Sequence, residues 1–191
     1  MLRAFVAVDL ESQTVQQIAA AITTLRPCLP GIRWLPPTNI HLTLKFLGDI
    51  DEAKVAPIAA ALERDLCPFS CFTINAKGLG VFPGVARPRI LWVGLVGDEL
   101  NALASRVEKA LIPLGFAAEK RAFTPHLTVG RWRQFKGSPK ELEDEIGKWR
   151  DHDFGRSTVD EAILFQSVLK PEGALYRPLK TVVLTKKAPQ P

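Results

Sequence analysis

The constraint that shapes this chain most is an internal echo. His41-Leu42-Thr43-Leu44 returns as His126-Leu127-Thr128-Val129, 85 residues later. The same interval carries Phe5-Val6-Ala7-Val8 onto Ile90-Leu91-Trp92-Val93. It also carries the helical pattern of 12–25 onto that of 98–112. Each half reads strand, helix, loop, then a strand bearing His-x-Thr. Three elements matching in one register predict two similar lobes packed face to face, each supplying one such strand. The elements do not alternate strictly as β-α-β-α, so the predicted class is α+β. Antiparallel sheets are expected in both lobes. One domain, 1–191, with interleaved strands is expected.

Along the chain, residues 3–10 are rich in β-branched and aromatic types and predict a strand. Val15, Ile18, Ala19, Ile22 and Leu25 predict a helix over 12–25, capped by Ser12. Pro27, Pro30, Gly31, Pro36 and Pro37 mark a loop. Residues 40–47 alternate apolar and polar and predict a half-buried strand that Gly48 and Asp49 end. A helix is expected over 52–66, with Pro57 near its first turn. Strands are expected at 69–77 and 89–96, with Gly78 to Gly84 as the loop between them. Helices at 98–112 and 139–149 and strands at 126–132, 158–168 and 176–185 complete the pattern. Lys186 to Pro191 are expected to fray.

With 191 residues, 47% of them hydrophobic, the chain can bury roughly 70% of its unfolded surface without staples. Disorder is excluded by the Leu, Ile, Val and Phe content. No apolar run reaches the roughly 18–20 residues of a membrane span. The first apolar run is cut by Asp9 and is too short for a signal peptide. Cys28, Cys67 and Cys71 are an odd set without an export signal, which predicts free thiols and a cytoplasmic, reducing location. They are read as packing residues, because Cys67 and Cys71 have no second pair and no nearby His for zinc. The net charge of +5 permits a polyanionic partner without requiring one. A monomer is the default expectation at this size.

Chemistry concentrates in the repeated motif. In a strand, side chains i and i+2 share a face. His41 and Thr43 therefore point one way, and Leu42 and Leu44 the other. His126 and Thr128 stand likewise against Leu127 and Val129. Across a cleft, two imidazoles and two hydroxyls would converge on one small volume. That set suits a phosphate diester: one imidazole takes a proton from water, and the other gives a proton to a departing sugar oxygen. Two Thr hydroxyls can hold the non-bridging oxygens while charge builds. Lys45 is in phase with His41 and Thr43 and is expected to face the phosphate. Arg131 is off by one position, which a bulge at Gly130 would correct. His152, in a polar stretch, is read as a surface residue. The motif lacks the spacings of common zinc sites, and no carboxylate shares its face, so no metal is expected. Neither a nucleophile elbow nor a P-loop is present.

The paired motifs resemble those of the 2H phosphoesterase superfamily. Within it, the stretches Arg3 to Leu10, Asn39 to Gly48, Arg87 to Gly94, Phe123 to Arg131 and Gly173 to Tyr176 are similar to the RNA 2′,3′-cyclic phosphodiesterases, once called 2′–5′ RNA ligases. The resemblance covers nearly the whole chain, in order, and implies a bilobal, pseudo-two-fold-symmetric α+β fold with two antiparallel sheets lining a central cleft and helices outside. It implies hydrolysis of RNA or nucleotide 2′,3′-cyclic phosphate ends to 2′-phosphomonoesters, with no metal or organic cofactor. It gives His126 the base role and His41 the acid role. Thr43 and Thr128 hold the phosphate, Arg131 assists, and Phe46 stacks on the terminal base, although a regular strand would point Phe46 away from His41. The alternatives are 2′–5′ end joining, in which a 5′-hydroxyl replaces water, and a non-catalytic RNA-end binder.

Overall fold

The computed structural model describes residues 1–171 and 173–186. In chain order these form β1 (Leu2–Val8), α1 (Ser12–Leu25), β2 (Ile32–Trp34), β3 (Leu42–Ile50), α2 (Val55–Leu66), β4 (Phe72–Phe82) and β5 (Ile90–Val96). Then come α3 (Leu100–Leu111), β6 (His126–Trp132), α4 (Pro139–Gly147), β7 (Asp153–Val159), β8 (Glu161–Lys170) and β9 (Gly173–Val183). The strands pair antiparallel in the order β7-β4-β5-β6-β3-β1-β8-β9, with β2 beside β6. The α+β class holds. The two expected sheets are two halves of this one curled order, and they meet in a single register pair, Leu42 with Leu127. β4, which follows the first half in sequence, pairs with β5 of the second, while β8 and β9 return to β1.

Burial explains the layers. On the outer face Val6, Val8, Leu42, Val93 and Leu127 are at most 1% exposed and meet the helices. In α2 and α3, Ile58, Leu62, Leu100, Leu103, Val107 and Leu111 recur at helical spacing and are buried. Each such side chain contributes roughly 1.5–3 kcal/mol on leaving water. The inner face has its own smaller apolar cluster: Phe5, Ala7, Ile163 and Phe165, with Tyr176 packed against it.

Several sequence expectations are corrected. Gly78 does not end a strand, because β4 runs on to Phe82. Gly78 is a bulge with φ +74°, where a Cβ would meet the Arg150 carbonyl oxygen at 2.6 Å. Gly48, with φ +71°, likewise sits within β3. The expected strand at 158–168 is divided at Asp160, which sends β7 to the edge of one half and β8 to the other. β2 lies inside the proline-marked loop. Ser12 is not the cap of α1. Glu11 holds that position, and its carboxylate accepts the Thr158 N–H. The thiols are free, but Cys28 and Cys67 are exposed and only Cys71 packs against the core. Of the tail, residues 187–191 lie outside the described residues.

Candidate active site

The two motif strands approach where Leu42 pairs with Leu127. Both leucines point to the core, so the residues on either side point to the inner face. Carried one step either way, that antiparallel register sets His41 beside Thr128 and Thr43 beside His126. The two histidines are then diagonal neighbours, a relation that spaces Cα atoms about 7–8 Å apart in a regular ladder. All four side chains are partly buried.

A bulge follows each motif. β1 and β3 pair Ala7 with Thr43 and then Val6 with Lys45, so Leu44 is the extra residue. β5 and β6 pair Trp92 with Thr128 and then Leu91 with Gly130, so Val129 is the extra residue. Leu44 and Val129 are equivalent in the repeat, and both are buried. The bulge reverses the facing of everything after it. Arg131 joins His126 and Thr128 on the inner face. The sequence expected this from Gly130, but the extra residue is Val129. Phe46 comes onto the face of His41, and its ring lies 6.1 Å from that of Phe5. Phe46 and Arg131 therefore occupy matching places, one in each half.

The reversal overturns one expectation. Lys45 does not face a phosphate. It is 4% exposed on the outer side, where Nζ donates to the Ala117 carbonyl (2.8 Å) and to Glu108 Oε1 (3.2 Å). It ties the first bulge to α3 and to the segment that leads toward β6.

Each imidazole is held by the backbone two residues before it. His126 Nδ1 lies 2.7 Å from the Thr124 carbonyl oxygen. A carbonyl only accepts, so Nδ1 carries the proton and Nε2 is left for chemistry. His41 hydrogen-bonds the backbone of Asn39, the equivalent position. The surroundings then diverge. His41 stacks on Phe5 at 4.9 Å and takes the edge of Tyr176 at 5.1 Å. His126 meets the edge of Phe82 at 5.1 Å. Burial lowers the His41 pKa from 6.5 to about 4, and the Arg131 charge adds to the lowering. Burial raises the Tyr176 phenol, while Arg131 and Arg3 pull it down. Arg131, on one half, is thus felt by two rings on the other.

Thr43 and Thr128 have no hydroxyl partner among the described residues, whereas Thr14, Thr23, Thr24 and Thr185 each donate to a carbonyl. His152 is remote, exposed, and packed between Trp149 and Phe154. Sequence reasoning missed Phe5 and Tyr176, which wall His41, and Phe82, which walls His126. Only the parity of Phe5 with Ala7 could have pointed to one of them. Among the described residues, no group of three or more His, Cys, Asp or Glu is placed to hold a metal ion.

Comparison with known proteins agrees with the internal repeat. The family model described as LigT like Phosphoesterase matches twice, over residues 8–92 and 93–176, with starts one repeat interval apart. The RNA 2′,3′-cyclic phosphodiesterase of Archaeoglobus fulgidus is 36% identical over 180 residues, covering 94% of this chain and 98% of that protein. That of Methanocaldococcus jannaschii is 33% identical over 179 residues, covering 94% and 99%. Among solved structures, TT0787 of Thermus thermophilus is similar with a TM-score of 0.84 at 25% identity, covering 98% of this chain and all of that one. The E. coli LigT structure complexed with 3′-AMP is similar with a TM-score of 0.77 at 25% identity, covering 96% and 98%.

Proposed function

The chain belongs to the LigT-like phosphoesterase family of the 2H superfamily, and from that premise we propose that it opens the 2′,3′-cyclic phosphate at the end of an RNA or nucleotide. Water attacks phosphorus, the bond to O3′ breaks, and a 2′-phosphomonoester remains. The observation that carries this reading is the meeting of two His-x-Thr strands at one register pair, with both imidazoles and both free hydroxyls on the inner face. One imidazole accepts the proton of water and the other donates to O3′. Thr43 and Thr128 donate to the non-bridging oxygens, and Arg131 offsets the growing charge. Phe46, 60% exposed, offers a ring face to the base.

The resemblance makes His126 the base and His41 the acid. Burial opposes an imidazolium at 41 in the free protein. A bound phosphate anion between the strands favours it. Substrate therefore charges the acid that acts on it. An NMR titration tests this: the His41 pKa lies well below 6.5 in the free protein and rises with a nucleoside 2′-phosphate bound. A His41 that stays neutral in the complex would exchange the two roles.

The reaction is tested on a 2′,3′-cyclic mononucleotide and a short RNA with the same end, in a strong chelator, with the 2′- and 3′-monophosphates separated. The expected product is the 2′-phosphate, and it falls at least ~100-fold with His41→Ala or His126→Ala. Loss of turnover in chelator overturns the metal-free mechanism. Absence of turnover on both substrates overturns the activity. A 3′-phosphate product keeps the histidines and reverses the leaving group.

A further inference from the structure

Arg33 lies directly opposite Arg131 in the β2–β6 pair. Opposed residues in an antiparallel pair share a face and stand about 4.5–5.5 Å apart at Cβ, where like charges repel. Two arginine side chains therefore leave neighbouring Cβ positions on the inner face, and Arg33 is exposed. Arg64 pairs with Asp65 at 2.6 Å and Arg89 donates to the Arg133 carbonyl at 2.6 Å, while the side chains of Arg106, Arg150 and Arg177 have no such partner among the described residues. Among the described residues, the Arg33 and Arg131 side chains likewise have no hydrogen bond or ion pair. Arg33 also reaches across the cleft. Its Nη2 would lie 3.8 Å from a Cβ built on Gly173, at the start of β9 in the other half.

The internal repeat supplies a control. The position equivalent to Arg33 is Ala118, and the position equivalent to Arg131 is Phe46. The shared architecture therefore does not demand cations there. One half sets two arginines opposite each other here, whereas the other half has Phe46 at the matching place and no strand at 117–119 to pair with it. Such a cleft is polarised for a ligand with a base at one end and more than one phosphate at the other.

Resting on the function proposed above, we propose that Arg33 is a second phosphate-binding site, which holds the 5′-phosphate of the reacting nucleotide while Arg131 attends the phosphate under attack. In an RNA that 5′-phosphate is the phosphodiester to the preceding residue. Arg33 would make the enzyme prefer a polynucleotide end to a free cyclic nucleoside phosphate. Its guanidinium gives a fixed charge and forked donors suited to phosphate oxygens.

Direct binding tests this without turnover. Calorimetry compares adenosine 2′-monophosphate with adenosine 2′,5′-bisphosphate on the wild type, Arg33→Gln and Arg33→Lys. The wild type is expected to bind the bisphosphate about tenfold more tightly, the worth of one hydrogen-bonded charge contact. Arg33→Gln abolishes that advantage while binding the monophosphate as before, and Arg33→Lys keeps part of it. A wild type that does not distinguish the two ligands overturns the proposal. So does an advantage that survives Arg33→Gln, or an equal loss for both ligands, which would place both arginines on one phosphate. Hydrolysis of the cyclic mononucleotide separately reports the underlying reaction. If it fails while the bisphosphate advantage stands, the activity is wrong and the anion site remains.

Discussion

His41 and His126 hold equivalent places in the repeat but differ in surroundings, and the difference is measurable. Aromatic walls on His41 lower its pKa to about 4. The unfolded chain takes up that proton near pH 6.5, and the folded protein only near pH 4. Stability conferred by this site is thus present above pH 6.5 and is lost as pH falls through that window, by at most about 3 kcal/mol. Denaturation at about pH 7 and about pH 5 is expected to show a smaller loss for His41→Gln than for the wild type, by up to about 2 kcal/mol. Equal losses would remove the inference that His41 is neutral in the folded protein. The hydroxyls make the opposite case, since neither has a protein partner among the described residues. Thr43→Val and Thr128→Val are each expected to lower kcat/KM roughly 10- to 100-fold, the worth of a hydrogen bond to a charged group. Their denaturation midpoints stay close to wild type. A fall in stability without a fall in rate would show the hydroxyls to be structural.

At the scale of the element, the bulge is what converts a strand into half a site. Without Leu44 as an extra residue, Lys45 would face inward and Phe46 outward. Without Val129, Arg131 would leave the cleft. The lysine turned outward is then neutralised by Glu108 and the Ala117 carbonyl. Lys45→Ala leaves the Ala117 carbonyl without its donor and Glu108 without its cation, with only the Glu119 N–H still bonded to Oε1. The expected cost is about 2–3 kcal/mol, less than for a fully buried pair because Glu108 remains partly exposed. A urea midpoint within error of wild type would mean that the contact contributes little. Gly80 is a second device of this kind: any Cβ there would run into the Trp92 ring, which lies beside Thr128. Gly80→Ala is expected to lower activity by displacing that indole. Unchanged kcat and KM would show the ring to be free to move.

For the whole molecule, the two His-x-Thr motifs come together only because β3 and β6 meet. The proposed acid on one half and base on the other predict a bell-shaped pH–rate profile, whose two limbs belong to the coupled pair rather than to either histidine. A rate flat between about pH 5 and 9 would end the acid–base account. The net charge of +5 and the unpaired arginines predict that RNA turnover falls more steeply with salt than cyclic mononucleotide turnover. Parallel salt dependence would mean that only the terminal phosphate is bound.

Read alone, the sequence determined the repeat, the α+β class, the two His-x-Thr strands and the common facing of His and Thr. These are legible because they depend on spacing two apart within a strand or on helical periodicity, and both are local. Arg131 was legible in part, since its offset asked for a bulge. Only the tertiary structure decided that Val129 and Leu44 are the extra residues, that Lys45 faces outward and Phe46 inward, that Tyr176 and Phe82 pack on the histidines, and that Arg33 lies opposite Arg131. Facing after a bulge is set by the partner strand, here β1 or β5. Tyr176 lies 135 residues from His41, and Arg33 lies 98 from Arg131. Such neighbours are chosen by which register buries the leucines and valines of both halves at once, a condition no single segment of the chain contains.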